Sequence, residues 1–230
     1  MVDLQKEPHQ PSCEGILISD FDGTMTRYDF YDLVCKEFPD ILTAGFWQQY
    51  EQGKITHFQA LRLIFASIRS DEARLYKIVE SMELSFNLAQ DIGRLKKAGW
   101  EVLVVSAGCG WYIDHLFKKH GVFLPVYANP GTFSEQEGLQ MRLPEKSPFF
   151  SFDVGIDKAA VVRDALQRST RVAFAGDGRP DLAPALLVPA RLRFAKSWLA
   201  EKLQKLGESF QPFEHWQEIA DILVKGANKC

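Results

Sequence analysis

No stretch of this 230-residue chain is apolar for long enough to cross a bilayer; the longest apolar runs, residues 102–105 and 183–190, fall far short. The opening residues 1–12 are polar and carry Pro8 and Pro11, with no apolar stretch of signal-peptide type, so a cytoplasmic location is expected. Charge of one sign is also scarce: 27 Lys and Arg stand against 30 Asp and Glu, a net charge of -3. That balance gives no support for a nucleic-acid partner or an anionic membrane surface. Cysteine is sparse and scattered. Cys13, Cys35, Cys109 and Cys230 form no C-x-x-C pair, which argues against a disulfide framework or zinc knuckle and for reduced thiols. Five histidines are as dispersed, and His115 and His120, five apart on one expected helix, are poorly spaced to share a metal. They read as surface or boundary residues. There is no internal repeat, no low-complexity segment and nothing that sets an oligomeric state.

What is present suits a packed globular core, with 46% hydrophobic and 25% charged residues. Residues 1–13 read as a disordered lead-in. Short apolar runs at 15–19, 101–105, 122–127, 171–175 and 190–194 read as buried strands. Helical patterns fall between them, at about 87–98, 111–120, 157–168, 180–187 and 196–206. The alternation predicts an α/β fold, a Rossmann-like parallel sheet sandwiched by helices. One stretch breaks the pattern. Residues 28–85 carry no convincing strand but do carry amphipathic helical spacing, as in Phe58, Leu61, Ile64, Phe65 and Ile68. A helical cap of residues 28–85, inserted after the first strand, is therefore expected over the carboxyl edge of a core made of 14–27 and 86–230. Its hinges are expected near 27–29 and 85–87. The glycine- and proline-punctuated segment 128–153 reads as a hairpin beside the sheet. Trp47, Trp111 and Trp198 suit core, cap or interface equally.

The sharpest local signal is Asp20-Phe21-Asp22-Gly23-Thr24, directly after the first apolar run. Carboxylates two residues apart on an extended chain project to the same side. Close carboxylates repel, and a cation between them or a shared proton relieves the repulsion. Oxygen-rich sites suit Mg²⁺. The competing reading is an ordinary Asp-Gly turn. Three further elements stand at the ends of other expected strands. Ser106, with Gly108 and Gly110 nearby, offers a hydroxyl and free amides to a phosphate, or is simply a helix N-cap. Lys158 near the start of a helix opposes the helix dipole, or is a solvated surface lysine. Asp177 and Asp181 flank Gly178 and Pro180, where loop and cap chemistry is an ordinary alternative.

In order, these elements are D-x-D-G-T, S, K and G-D-x-x-x-D, and in that order and spacing the chain resembles the haloacid dehalogenase (HAD) superfamily from about residue 15 to 213. The resemblance implies Asp20 as a nucleophile that forms an aspartyl-phosphate, and Asp22 as the acid and base for the leaving alcohol and the water. It implies Mg²⁺ held by the Asp20 carboxylate, the Asp22 backbone carbonyl and Asp177, with Asp181 supporting from behind. Ser106, the Ala107 amide and Lys158 would bind the phosphate oxygens. The long insertion looks like the helical cap of the phosphoserine-phosphatase-like branch.

Softer features are most similar to the methionine-salvage phosphatases, which act on 2-hydroxy-3-keto-5-methylthiopentenyl-1-phosphate. They are Thr26 and Asp29 beyond the first motif, Val105-Ser-Ala-Gly108, Tyr127-Ala-Asn129 and the tail from Gly207 to Ile219. The chain departs from some members in lacking a cysteine-rich segment before the motif lysine. The resemblance places Asp29 where phosphoserine phosphatases meet the substrate's ammonium; an N-cap role is the alternative. Those enzymes also use a cap arginine, and here the place falls on Leu63 or Ile64, with Arg62 adjacent on another helical face. The expected partner is a small phosphorylated metabolite other than phosphoserine, with phosphoserine itself as the alternative. Phe30, Phe58 and Phe65 would suit an apolar tail or core packing. A non-enzymatic phosphoreceiver module shares the acceptor Asp, hydroxyl and Lys, but its acidic pair belongs to an earlier loop and it has no cap.

Overall fold

Gly15–Ser19 is β1, fully buried, and the rest of the molecule is laid on either side of it. The structure, a computed structural model, describes residues 15–227; the expected lead-in, Cys13 and Cys230 lie outside the described residues. The further strands are β2 Trp100–Cys109, β3 Val126–Asn129, β4 Gly131–Ser134, β5 Gly138–Met141, β6 Phe150–Ser151, β7 Gly155–Ile156, β8 Val172–Gly176, β9 Arg193–Ala195 and β10 Gln211–Pro212. The helices are α1 Phe30–Glu37, α2 Phe46–Glu51, α3 His57–Ala66, α4 Glu72–Glu80, α5 Leu88–Lys97, α6 Gly110–Lys119, α7 Lys158–Arg168, α8 Leu182–Leu186, α9 Ser197–Lys205 and α10 Trp216–Ala227.

Six strands form one parallel sheet in the order β10-β9-β8-β1-β2-β3. The chain runs outward from β1 in both directions, so the connections diverge between β1 and β8. An open parallel sheet leaves a crevice at the carboxyl ends of such a pair. Alternation along β1 divides the core. Leu17 joins one cluster with α5, α6 and α10, while Ile16 and Ile18 join a second cluster with α7 and α9. The α/β architecture agrees with the sequence reading; several boundaries differ. The run expected at 122–127 becomes a strand only at Val126, after Pro125, which has no N–H to give a ladder. Residues 190–192 form a 3-10 turn behind Pro189 before β9 begins. Strand β10 and helix α10 had no place in the strand-and-helix reading, β10 being only two residues long and ending in a proline.

Between β1 and α5 there is no sheet strand, only α1 to α4 and a 3-10 helix at Pro39–Ala44. The chain enters and leaves this insertion as a narrow ribbon. Arg27 N donates to Met82 O at 3.0 Å, Ser85 N donates to Met25 O at 2.8 Å, and Thr26 bridges Leu84. Phe30, Phe65 and Leu75 of the insertion share a hydrophobic cluster with Leu17 and Phe21 of the core. Two further contacts hold it. On one side α4 meets α6, where Tyr76 stacks on Trp111 at 5.1 Å and on His115 at 4.0 Å. On the other, α3 packs against β5 of the antiparallel β4–β5 hairpin that fills the segment expected to hold one. Gly138, at φ +75, brings the hairpin so close to α3 that an added Cβ would lie 2.8 Å from the carbonyl oxygens of Ala66 and Ile68. Trp47 meets Tyr31 within the insertion at 4.6 Å with the rings tilted by 32°, and Trp198 lies under the Arg179 guanidinium.

Candidate active site

A cavity of about 110 Å³ opens at the carboxyl ends of β1, β2 and β8, beneath the insertion. Asp20 follows the last residue of β1, and its N–H donates to Ala175 O of β8 at 2.9 Å, which fixes the backbone across the point of divergence. Its side chain is held from two directions. Lys158 Nζ donates to Oδ1 at 2.5 Å, and the Thr24 hydroxyl donates to Oδ2 at 3.2 Å. Lys158 is not the solvated lysine its position at the start of α7 allowed. It is buried and donates a second bond to Asp181 Oδ1 at 2.7 Å, while Asp157 caps the helix in front of it.

Asp181 is anchored in turn, its Oδ2 accepting from Asp177 N at 3.1 Å and Gly178 N at 2.9 Å. Carboxylate oxygens of Asp20, Asp177 and Asp181 lie within 4.8 Å of one another. Burial and then the neighbouring Asp181 charge raise the Asp20 carboxyl to about 7, against the pull of Lys158. Burial, followed by the charges of Asp20 and Asp181, likewise holds Asp177 well above the usual carboxylate range. Burial lowers the Lys158 ammonium, but the Asp181 and Asp20 carboxylates outweigh it and keep its pKa above the ordinary value. One cation cannot balance this much buried acid. A hard divalent ion taking oxygen ligands answers the imbalance, and Mg²⁺ fits the donor chemistry of Asp20 and Asp177. Glycine is required beside them: at φ +66, Gly23 would carry a Cβ only 2.5 Å from Asp177 Oδ2.

Asp22 points elsewhere. Its Oδ2 accepts from the Tyr112 hydroxyl at 2.8 Å and the Ser106 hydroxyl at 3.2 Å, and its Oδ1 accepts from Phe30 N at 3.4 Å. Burial raises its pKa, and the Tyr112 bond opposes that rise. A carboxyl so placed can give and take a proton a short way from Asp20. Ser106 is not an N-cap, because β2 continues to Cys109 and Cys109 holds the cap position of α6. Its oxygen accepts from Gly108 N at 2.9 Å. Gly108 has no room for a side chain, since a Cβ there would meet the Tyr112 Oη at 1.8 Å. Ala107 lines the same wall.

The insertion supplies the opposite wall through Tyr31, Trp47, His57, Leu61 and Phe65. Asp29 is the N-cap of α1, its Oδ1 accepting from Tyr31 N at 2.6 Å, and also faces the cavity. Burial and the nearby Asp22 charge raise its pKa well above the usual range. Arg62 does not join the site: it is exposed on α3 and is not among the lining residues. Phe30 and Phe58 are core, whereas Phe65 is both core and cavity wall. Sequence reasoning missed Tyr112, Tyr31, Trp47 and His57 as site residues. Nothing in their spacing separates them from packing aromatics; only the hydrogen bond to Asp22 and the shared cavity do so.

Comparison with known proteins bears on the family and the fold. The model of the haloacid dehalogenase-like hydrolases matches residues 17–185. A 2-hydroxy-3-keto-5-methylthiopentenyl-1-phosphate phosphatase of Microcystis aeruginosa is 25% identical over 210 residues, covering 91% of this chain and 97% of the relative. One from Bacillus pumilus is 23% identical over 207 residues, covering 89% and 88%. Among solved structures, a HAD family hydrolase of Salmonella enterica superposes with a TM-score of 0.67 at 17% identity, over 95% of this chain and 74% of that one. A phosphoserine phosphatase carrying a phospho-aspartyl intermediate analogue gives 0.62 at 16% identity, over 90% and 97%. At such identity the two structures speak to the fold alone. No helix among the described residues is long and apolar enough to cross a membrane.

Proposed function

The chain belongs to the haloacid dehalogenase-like hydrolase family, and on that premise we propose that it is a Mg²⁺-dependent phosphomonoesterase working through an aspartyl-phosphate on Asp20. The observation that carries this reading is the placement of Asp20 at the open end of β1. One carboxylate oxygen is tied to Lys158, Asp177 is within ligand distance, and Asp22 stands by on separate hydrogen bonds.

Asp20 attacks phosphorus as the bond to the leaving alcohol breaks, and Asp22 gives its proton to that alcohol. The Asp22 carboxylate then takes a proton from water, which attacks phosphorus, releases inorganic phosphate and restores Asp20. Lys158, Ser106 and the Ala107 amide hold the phosphoryl oxygens, where charge is spread in the transition state. Asp20, the Asp22 carbonyl and Asp177, with Asp181 behind them, would hold Mg²⁺, which would supply positive charge to the phosphoryl group. The helical insertion, residues 28–85, acts as a cap that shuts out water and selects the leaving group.

The substrate is a small phosphorylated metabolite of the cytoplasm, and 2-hydroxy-3-keto-5-methylthiopentenyl-1-phosphate is the first choice. Curated relatives with that activity support it along nearly their whole length. Cavity chemistry adds to this. Lys158 is the only Lys or Arg side chain among the described residues lining it; two of its three N–H groups go to Asp20 and Asp181, and the third is left for the phosphoryl group. A substrate carboxylate such as that of phosphoserine would enter without a cationic partner, which is costly. Asp29 in the wall favours a second reading, an ammonium-bearing ester. The test is kcat/KM on the enol phosphate and on phosphoserine, with phosphoethanolamine and phosphocholine as controls, with Mg²⁺ and after chelation. A preference for the enol phosphate, abolished by chelation, is expected. A preference for phosphoserine overturns the substrate assignment, and turnover that survives full chelation overturns the metal.

A further inference from the structure

His57 is the first residue of α3, and Thr56 caps that helix in front of it. Its imidazole meets the rings of Trp47 at 5.8 Å and Tyr50 at 5.3 Å, both edge-on, which fixes its plane. The ring lines the same cavity as Asp20 and Lys158. Yet Nδ1 is buried and has no hydrogen-bond partner. A buried polar nitrogen left unpaired costs free energy, and native interiors rarely tolerate one that nothing ever satisfies. The catalytic groups do not satisfy it: Lys158 donates to Asp20 and Asp181, and the Asp22 oxygens accept from Tyr112, Ser106 and Phe30, not from His57.

We propose that His57 is a specificity-determining residue whose unpartnered Nδ1 hydrogen-bonds an oxygen of the leaving group, a hydroxyl or carbonyl close to the phosphoester carbon. This rests on the phosphomonoesterase reading and narrows its substrate class. The ring is suited to a neutral partner. Burial first, and then the Lys158 charge, lowers its pKa to about 4, so at neutral pH it carries one N–H and one lone pair. A neutral imidazole can donate to a carbonyl or accept from a hydroxyl, but it cannot balance a carboxylate. The surrounding wall is apolar, with Leu61 and Phe65 on the same helix. The leaving group that fits is therefore uncharged, bearing oxygen near the ester and apolar atoms beyond it.

The test compares two esters of equal length, dihydroxyacetone phosphate, which has a carbonyl beside the ester carbon, and n-propyl phosphate, which has none. Wild-type protein should prefer the former in kcat/KM by about 10- to 100-fold, the scale of one buried hydrogen bond. His57→Phe keeps the ring and its edge contacts and should bring the preference close to unity. His57→Asn, whose amide nitrogen or oxygen falls near the Nδ1 position, should restore part of the preference. A wild type without preference, or a preference that survives in His57→Phe, overturns the proposal. So does an equal loss on both esters without rescue by Asn, which marks a packing role. Absence of p-nitrophenyl phosphate hydrolysis by the wild type would instead strike the phosphomonoesterase reading itself.

Discussion

The two walls of the cavity are built by different physical means. The lower wall, with Asp20, Asp22, Ser106, Lys158, Asp177 and Asp181, gathers at the carboxyl edge of the sheet, in β2, in the turns after β1 and β8, and at the start of α7. The upper wall, with Tyr31, Trp47, His57, Leu61 and Phe65, comes from helix faces whose spacing serves packing. In the lower wall each of these side chains makes at least one hydrogen bond, whereas the upper wall leaves the His57 Nδ1 without one. A partnered wall suits one chemistry on a constant phosphoryl group. An unpartnered one waits for whatever the leaving group brings.

The largest expected effect tests the lower wall. Asp20→Asn removes the proposed nucleophile while keeping its shape, so kcat on p-nitrophenyl phosphate should fall by about 10³-fold or more with the circular dichroism spectrum unchanged. Near-normal turnover by the folded variant would erase the division of labour between the walls. Next, Asp22→Asn should lower kcat by about 10²- to 10⁴-fold. Because Lys158 and Ser106 remain, it should still bind inorganic phosphate in a calorimetric titration; lost binding would mean that Asp22 shapes the pocket rather than moving protons.

The walls also differ in how far they could be read from sequence. Asp20 and Asp22 gave the sharpest signal, two carboxylates on one side of the chain at a strand end, while Asp177 and Asp181 alone read as loop and cap chemistry and took their meaning from the order of all four elements. That the sheet is parallel was legible because its strands read as continuous apolar runs alternating with helical patterns; the order of the strands was not. Lys158 and Ser106 gained meaning only in company: alone they looked like a surface lysine and a cap, and their burial depends on a sheet formed by residues far away. Tyr112 and His57 were not legible at all. An aromatic two residues into α6 and a histidine at the start of α3 satisfy the amphipathic pattern whether or not they touch substrate. Arg62, adjacent to the expected arginine place but on another helical face, is exposed on α3 as that spacing implies.

A milder change probes the upper wall. Asp29→Asn keeps a cap for α1 and should leave both the thermal midpoint and p-nitrophenyl phosphate turnover nearly unchanged. Asp29→Ala should lose about 1 kcal/mol of stability, a fall of about 2–4 °C in Tm. A large loss of turnover in Asp29→Asn would move Asp29 from the selecting wall to the catalytic one. The smallest effect concerns His57. Its folded pKa of about 4 lies below the ordinary 6.5, so between these values the unfolded chain binds the extra proton. The stability it contributes is complete above pH 6.5 and is lost as pH falls towards 4. Asp20, raised to about 7, works in the opposite sense. Only the difference between wild type and His57→Phe isolates the histidine. That difference, from urea melts, should be flat above pH 6.5 and should shift in favour of the variant below it.

The contact between Gly138 and the end of α3 bears on how such enzymes could be recombined. A chimera that borrowed only residues 28–85 from a relative would seat a foreign α3 against a β4–β5 hairpin shaped for its former neighbour. Leu139 and Met141 of the hairpin are as buried as Ile64 and Phe65 of the helix. The unit of exchange is therefore discontinuous: the helices from one part of the gene and the hairpin from another must travel together, as one graft with two ends.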